Sequence, residues 1–542
     1  MQKEYSIIIG GAAGLGSKKA GNIIAQLFSG LGYKIYIYED YQSLVKGGHN
    51  FSLVRASSKT VGAIKEKVDF VIALDELTSS IHSKQLKDKN NIIYNADKFS
   101  LKYGVPVFAN QITKENGGLD IMQNTALVGA FAKVVGLDWN YAKKVFKKEF
   151  PVSTETNIQI AQTAYKSSKT LLTIPKISNK IYPLLTGNQA TAMGALNAGL
   201  DAYVAYPMTP ATGILNYLSS VDKITVFQSE NEIAAANSVM GFSFIGKRAM
   251  TGTSGGGFAL MNEAIALSAQ SETPLVIVNG QRMGPSTGVP TYNSQSDLLH
   301  VLSAGPGDFE RFVVAPGDTN EAFTYSALAL DIAWKYQLPS IIILDKDLCE
   351  GTYSCDFDYK KSGIKPSLWR GKGEYLRYLK TKDGISPLAF PGDKKAVVKG
   401  TSYEHDQFGI SVEDSNRIKE MQDKRSLKYK EFSKEVSRLK CVNVYGNKKS
   451  KTAVIAWGSV KGVAMEMAEE LNIKLIQPIV LNPFPKVAML KALKGVDNLI
   501  LLELSNSGQM AKLLSCNGIN VTKKVLRYDG RPFTIDQLIK IK

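Results

Sequence analysis

The sequence predicts a multidomain α/β protein. Short runs rich in β-branched and aromatic residues alternate with longer apolar stretches at helical spacing, a pattern that builds parallel sheets. The chain has 542 residues, of which 44% are hydrophobic and 21% are charged, so it is globular and too long for one hydrophobic core. We therefore expect about two to four domains.

Composition disfavours several classes of protein. No apolar run approaches the roughly 18 residues that span a bilayer. Met1 leads directly into a strand, which leaves no room for a signal peptide, and we expect a cytoplasmic protein. Four scattered cysteines without a C-x2-C cluster argue against a disulfide framework or an iron–sulfur centre in this chain. The net charge of +17 comes from dispersed lysines without a nucleic-acid-binding signature, so no nucleic-acid partner is expected.

The first predicted domain spans residues 1–165. A β-rich run, Tyr5 to Ile9, leads into the glycine turn from Gly10 to Gly16 and a helix from Ser17 to Leu31. Such a turn can present backbone amides to a phosphate. A tight turn without a ligand is an equally good interpretation, because the spacing is not G-x-G-x-x-G. His49 follows two glycines and suits a hydrogen-bonded structural histidine better than a metal ligand.

The remaining boundaries follow from composition. Residues 166–182 are rich in Ser, Thr and Lys and have little periodicity, which predicts a linker. Residues 183–415 form a second domain that ends in an irregular extended arm. Residues 416–449 include a heavily charged helix, predicted to be a solvated connector. Residues 450–542 alternate strands and helices and predict a last α/β domain.

Candidate site residues concentrate in the second domain. Tyr206-Pro207-Met208-Thr209-Pro210 follows a predicted strand, and open α/β sheets bind ligands at the carboxyl ends of their strands. The glycine loop Thr253-Ser254-Gly255-Gly256-Gly257 follows another strand, and Arg282 follows a third. Between them, Lys223 to Ser229 is predicted to be a buried strand. Ile233 to Phe244 is predicted to be a helix too apolar to face water.

Three of these residues have structural as well as functional interpretations. Ser229-x-x-Glu232 fits a capping box, whereas a buried Glu232 could instead address a ring nitrogen of a cofactor. Thr209 could cap the next helix or donate a hydrogen bond to a ligand. Arg282 could form a structural ion pair, or it could clamp a carboxylate through two parallel hydrogen bonds, which lysine cannot copy.

Four motifs in order resemble the alpha subunit of 2-oxoacid:ferredoxin oxidoreductases. They are Tyr206 to Pro210, Thr253 to Phe258, Gln281-Arg282 with Gly284 to Gly288, and Glu404-His405-Asp406. The stretch from Lys46 to Arg55 resembles the gamma subunit of the family, here fused in front of alpha. Glu503, Asn506, Gly508 and Gln509 match the E-x-x-N-x-G-Q pattern of its transketolase-type C-terminal domain. The two-subunit, 2-oxoglutarate type resembles this chain most closely.

The resemblance implies roles for these residues. Residues 183–415 would form a pyrimidine-type thiamine diphosphate-binding domain, in which Glu232 hydrogen-bonds N1′ of the aminopyrimidine. Thr209 and Arg282 would bind the 2-oxoacid. The expected cofactor-binding residues are Tyr206, Pro207, Met208, Thr253, Ser254 and Gly255. The family usually has a proline in place of Gly256, so a looser loop is expected, and Glu404-His405-Asp406 is expected to serve structure or an interface.

The resemblance also implies partners. The chain has no Gly-Asp-Gly followed by Asn, the family's motif for magnesium and the cofactor diphosphate. A beta subunit would therefore carry that site and a [4Fe-4S] cluster, in an alpha–beta or alpha2–beta2 complex. Coenzyme A would be the co-substrate and ferredoxin the electron acceptor, and no metal site is expected in this chain. Two alternatives are a non-oxidative thiamine decarboxylase component and a non-catalytic assembly protein of the same fold.

Overall fold

A computed structural model of the chain describes residues 4–42 and 48–541. The chain divides into two compact units. Unit 1 comprises Met1–Leu185, Glu350–Asp356 and Phe533–Lys542, and unit 2 comprises Thr186–Cys349 and Phe357–Pro532. The predicted α/β fold is confirmed. The chain is divided differently from the prediction, since the second domain, the charged helix and most of the last α/β domain belong to one unit.

The elements of residues 4–186 include two single 3₁₀ turns, at Ser83–Gln85 and Asp120–Met122. The helices and strands are β1 Glu4–Ala12, α1 Ser17–Ser29, β2 Lys34–Asp40, β3 His49–Ser57, β4 Phe70–Ala73, α2 Glu76–His82, β5 Ile92–Asn95, β6 Val105–Val107, α3 Ala109–Glu115, α4 Gln123–Val134, α5 Trp139–Glu149, α6 Thr154–Ser167 and β7 Leu184–Thr186.

The elements of residues 187–354 are α7 Gly187–Asn197, β8 Ala202–Ala205, α8 Thr212–Leu218, β9 Thr225–Gln228, α9 Glu232–Phe244, β10 Ala249–Thr253, α10 Gly255–Leu260, α11 Asn262–Gln270, β11 Leu275–Gln281, α12 Leu298–Ser303, β12 Phe312–Val314, α13 Thr319–Tyr336, β13 Pro339–Asp345, α14 Lys346–Glu350 and β14 Thr352–Ser354.

After an irregular arm, the last elements are α15 Ser415–Val436, β15 Val442–Gly446, β16 Thr452–Ile455, α16 Val460–Glu470, β17 Lys474–Pro478, β18 Val480–Asn482, α17 Lys486–Leu493, β19 Asn498–Glu503, α18 Gln509–Cys516, β20 Lys523–Leu526 and α19 Ile535–Leu538.

Unit 1 is built on an eight-stranded sheet in the order β6-β5-β4-β1-β3-β2-β14-β7, in which β7 is the strand where the chain leaves the unit. β1, β4, β5 and β6 are parallel neighbours, and β3 runs antiparallel to β1 and β2. Helices α1 and α4 supply Phe28 and Phe131 to a core that also contains Phe70 of β4. This mixed sheet agrees with the predicted alternation of strands and helices.

The two glycines before His49 suggested a turn, but His49 does not lie in one. It is the buried first residue of β3, and its Nε2 atom lies 2.8 Å from Nε2 of His82. Burial lowers the pKa of both imidazoles, and that of His82 to about 4. The predicted structural histidine is thus one of a buried pair, whereas Lys46 and Gly47 of the same motif lie outside the described residues.

The predicted linker lies along unit 1. Helix α6 continues to Ser167, and beyond it the backbone amides of Leu171 and Ile174 donate to the carbonyls of Val134 and Val135. Ile174 is buried in the core of the unit. The stretch hydrogen-bonds to the end of α4 through its backbone without forming a helix or strand. Its hydrophobic residues therefore have no regular spacing.

Unit 2 contains two sheets. The seven-stranded sheet has the order β18-β12-β13-β11-β10-β8-β9, and all its strands are parallel except β18. The five-stranded sheet has the order β15-β17-β16-β19-β20. Ile277 of β11, Ile343 of β13 and Trp457 after β16 belong to one core, which explains why both sheets lie in one unit.

The charged helix α15 is not a solvated connector. Lys424 and Lys428, one turn apart on α15, are buried and hold the two carboxylate oxygens of Glu272 at 2.6 and 2.7 Å. Although burial alone would raise it, the two lysines lower the pKa of Glu272, and burial lowers that of Lys428 to about 8. The prediction was wrong because a charged helix can bury cations that share a carboxylate.

Candidate active site

The candidate site lies at the carboxyl ends of β8, β10 and β11, three neighbouring parallel strands. Tyr206 follows β8, Ser254 follows β10 and Arg282 follows β11. Because parallel strands end at the same edge of a sheet, the three predicted motifs are brought together. The predicted buried strand on the far side of β8 is the short edge strand β9, and it is largely exposed.

Glu232 is the first residue of α9, and it is not part of a capping box. The N-cap is Asn231, whose side-chain oxygen accepts from the Ala234 amide at 2.9 Å, while the Ser229 hydroxyl donates to the Asn231 carbonyl. Glu232 is only 4% exposed, and its Oε1 atom is buried with no hydrogen-bond partner among the described residues. A buried carboxylate oxygen without a partner is costly unless a ligand satisfies it.

The predicted glycine loop is the first turn of α10. The helix begins at Gly255 directly after its N-cap Ser254. A Cβ atom on Gly257 would lie 2.4 Å from Glu232 Oε1 and 2.1 Å from Thr253 Oγ1, so both side chains lie against this glycine. Gly256 is exposed, and a Cβ there would meet nothing within 4 Å. A second helix, α11, follows directly after α10.

The turn after β8 is tied to the other two strand ends. The Thr209 carbonyl accepts a hydrogen bond from Arg282 Nη1 at 2.9 Å. The Thr253 hydroxyl lies 3.7 Å from the sulfur of Met208. Helix α8 begins at Thr212 with Ala211 as its N-cap, so Thr209 does not cap it. The structure therefore brings Met208, Thr209, Thr253 and Arg282 into one site with Glu232, while Tyr206 is partly exposed at its rim.

Arg282 is partly buried and forms no ion pair within 4 Å among the described residues. Burial lowers the pKa of its guanidinium, and the negative charges of Asp297 and Glu232 oppose that shift. The structural ion pair considered for this residue is therefore not formed. Since one of its nitrogens is held by Thr209, the rest of the guanidinium remains for a carboxylate ligand.

Sequence reasoning missed Asp297. Its backbone amide donates to Gln281 Oε1 at 3.0 Å, and its Oδ2 accepts from Asn279 Nδ2 at 3.3 Å. Burial raises the pKa of Asp297 against the lowering effects of Asn279 and Arg282. The one available signal was an acidic residue just before the apolar helix α12, and that pattern equally predicts a helix cap.

The two remaining motifs serve packing. Glu404 binds Arg425 of α15 through both carboxylate oxygens, and His405 lies 3.7 Å from Tyr378 between ring centroids. Glu503 accepts from the Met510 amide, and burial raises the pKa of its carboxyl to about 7. Gln509 binds the α12 region through Ser296 and Leu299.

Residues 4–42 and 48–541 contain no group of three or more His, Cys, Asp and Glu side chains placed to hold a metal ion. In the same ranges, every helix is too short or too polar to cross a bilayer.

Two sequence families match the chain. Residues 193–423 match the family described as pyruvate flavodoxin/ferredoxin oxidoreductase, thiamine diphosphate-binding. Residues 6–167 match the family described as pyruvate ferredoxin/flavodoxin oxidoreductase. The first match contains every candidate site residue, including Glu232 and Arg282.

Relatives of known name match over nearly the whole chain. The 2-oxoacid:ferredoxin oxidoreductase alpha subunit of Saccharolobus solfataricus is 33% identical over 616 aligned residues, which cover 98% of this chain and 96% of the relative. The 2-oxoglutarate synthase subunit KorA of Methanothermobacter thermautotrophicus is 30% identical over 345 residues, 60% of this chain and 88% of the relative. A solved structure of 2-oxoglutarate:ferredoxin oxidoreductase from Magnetococcus marinus, with 2-oxoglutarate, coenzyme A and succinyl-CoA bound, superposes with a TM-score of 0.89 at 27% identity and covers 99% of both chains.

The fold and these matches define an oxidoreductase subunit of the thiamine diphosphate-dependent class. The chain belongs to the 2-oxoacid:ferredoxin oxidoreductases and is an alpha subunit with a gamma-type domain at its amino end. The resemblance carried by the four motifs is thereby confirmed. The chain is part of a multi-subunit enzyme.

Proposed function

We propose that this chain supplies the pyrimidine half of the thiamine diphosphate site in an enzyme that oxidatively decarboxylates 2-oxoglutarate. The observation that carries the proposal is the buried Oε1 atom of Glu232, which has no partner among the described residues at a strand edge typical of ligand sites. When bound, thiamine diphosphate supplies the electron sink for decarboxylation.

Glu232 fits the pyrimidine ring chemically. A carboxyl group at this position can exchange a hydrogen-bonded proton with a ring nitrogen. The hydroxyl of Thr253, the sulfur of Met208 and the backbone of Gly255 would line the ring. The same ring would contact Tyr206 and Pro207 at the rim and the buried Ser254.

Thr209 and Arg282 would bind the 2-oxoacid. The carbonyl of Thr209 fixes one nitrogen of Arg282, which orients the planar guanidinium before any ligand arrives. An arginine held in this way can donate two parallel hydrogen bonds to a carboxylate. 2-Oxoglutarate is the favoured substrate because two similar proteins, a 2-oxoglutarate synthase subunit and a 2-oxoglutarate:ferredoxin oxidoreductase, are named for it.

The site requires a partner subunit. Helix α9 and its neighbours leave Phe227, Ile233 and Leu260 about half exposed beside Glu232, and such apolar side chains on a site edge favour a protein interface. The sequence also lacks a Gly-Asp-Gly motif. A beta subunit would cover this surface and bring the diphosphate–magnesium site and a [4Fe-4S] cluster, in an alpha–beta or alpha2–beta2 complex.

The proposed reaction transfers the acyl group to coenzyme A and the electrons to ferredoxin. A cytoplasmic location is part of the proposal. It is supported by the low number of cysteines, four in 542 residues, which argues against a disulfide framework.

The test is anaerobic co-purification of the complex with its native partner, followed by dye reduction with a panel of 2-oxoacids, with and without coenzyme A. Reduction that requires both substrates and is fastest with 2-oxoglutarate supports the proposal. Carbon dioxide release without coenzyme A or an acceptor would instead identify a non-oxidative decarboxylase component. A chain that assembles but shows no turnover with any 2-oxoacid would identify an assembly protein.

A further inference from the structure

We propose that Asp297 is a positioning residue of the 2-oxoacid site, because it holds the end of β11 that carries Arg282 against the first turn of α10. This inference rests on the proposed function of Arg282. Asp297 lies outside the four motifs and contacts both elements from the start of α12.

Asp297 orients two buried amides of β11. Asn279 and Gln281 lie on the same face of the strand as Leu275 and Ile277, which belong to the core, and both are fully buried. Asn279 donates to the carboxylate of Asp297, and Gln281 accepts from its backbone amide. Asn279 Oδ1 and Gln281 Nε2 have no partner in the described part of the chain. Asp297 is therefore the group that fixes these two side chains directly before Arg282.

The carboxylate of Asp297 also fills the space that a side chain at Gly255 of α10 would occupy. A Cβ atom added to Gly255 would lie 2.6 and 2.9 Å from the two carboxylate oxygens of Asp297. The backbone of Gly255 does not have a positive φ, so only Asp297 requires glycine there. Gly256, the next residue of the same turn, has open space at its Cβ position.

The charge of Asp297 acts on Arg282. Asp297 and Glu232 are the two carboxylates whose negative charges favour the charged guanidinium. An arginine poised between a fixed carbonyl and a counter-charge loses little conformational freedom when it binds a substrate carboxylate. Removing the charge of Asp297 should therefore weaken binding of the 2-oxoacid more than it slows turnover.

The experiment compares the purified complex with Asp297→Asn, Gly255→Ala, Gly256→Ala and Arg282→Lys variants. Three quantities are measured: the KM and kcat for the 2-oxoacid, and the Kd of the 2-oxoacid in complex depleted of thiamine diphosphate, by calorimetry. We expect Asp297→Asn to raise KM and Kd about tenfold, with kcat changed less than about twofold, and Gly255→Ala to raise the Kd about tenfold. Gly256→Ala, the matched control in the same turn, should leave all three within about twofold.

Asp297→Asn with KM and Kd within about twofold of wild type would overturn the inference. If this variant fails to assemble, Gly255→Ala decides, since it keeps the carboxylate and only displaces it. Unchanged binding in Arg282→Lys would instead overturn the proposed role of Arg282, which is a separate outcome. A fall in kcat alone, without a rise in KM or Kd, would also contradict a positioning role for Asp297.

Discussion

Arg282 Nη1 donates a hydrogen bond to the backbone carbonyl of Thr209, 2.9 Å away. This bond joins the ends of β8 and β11 across the intervening strand β10. The guanidinium is thus held at one corner by the backbone, and its orientation does not depend on a mobile side chain. A site that recognises a carboxylate benefits from such preorganisation.

Arg282→Lys should weaken 2-oxoacid binding. Lysine cannot make the hydrogen bond to Thr209 and two parallel bonds to a carboxylate at once, and a lost charge-assisted bond costs about 2 kcal/mol, or roughly 30-fold in KM. Steady-state kinetics of the complex measure the effect. Arg417→Lys, at an exposed position on α15, is the control. Equal KM values for the two variants would show that Arg282 does not contact the substrate.

Gly257→Ala should disrupt the site, because its Cβ atom would fall within 2.4 Å of Glu232 Oε1 and 2.1 Å of Thr253 Oγ1. We expect the rate of 2-oxoacid-dependent dye reduction to fall by roughly 100-fold, since a small misplacement of a catalytic group is this costly. Gly256→Ala adds the same methyl group one residue away and should retain activity. Similar activities for the two variants would mean that the position of Glu232 against Gly257 is unimportant.

Glu272→Gln should destabilise unit 2 by about 3–5 kcal/mol, because it leaves Lys424 and Lys428 buried without a counter-charge. The free energy of unfolding is measured by urea denaturation. Glu420 lies on α15, like the two lysines, but near the surface. Glu420→Gln should therefore change the free energy of unfolding by less than about 1 kcal/mol. If Glu272→Gln changes the free energy of unfolding as little as Glu420→Gln does, Glu272 is not buried with Lys424 and Lys428.

Glu503 should make stability fall as pH rises. Burial raises its pKa to about 7 from 4.5, so the folded chain binds a proton that the unfolded chain releases between these values. The stabilising contribution is complete below pH 4.5 and is lost as pH rises through about 7. Glu503→Gln mimics the protonated form and should be about 2–3 kcal/mol more stable than wild type at pH 8, but similar at pH 5. Parallel urea curves at both pH values would contradict this prediction.

The sequence allowed much of the sheet edge to be predicted. The strands before Tyr206, Thr253 and Arg282 are buried apolar runs, and strands of that kind in an alternating α/β chain end together. The motifs could therefore be placed in one site from their order alone. The position of Glu232 at the start of α9 was also correct, although the N-cap is Asn231, whose side-chain oxygen accepts from the Ala234 amide.

Long-range pairing could not be predicted. The charges of α15 suggested a solvated helix, since nothing near Lys424 in the sequence indicates a carboxylate 152 residues away. Asp297 was missed for the same reason: its partners Asn279 and Gly255 precede it on two other elements. The glycines of the α10 turn looked like a flexible loop, whereas Gly255 and Gly257 make room for two carboxylates.

The most direct test of the account is the activity of the complex that carries Glu232→Gln. Glutamine keeps the shape and the helix start but cannot exchange a proton with a ring nitrogen. The account predicts a complex that assembles and unfolds like wild type, still binds the 2-oxoacid, and has lost at least about 99% of its dye reduction. Full activity of this variant would contradict the central claim that Glu232 is the carboxylate that serves the cofactor.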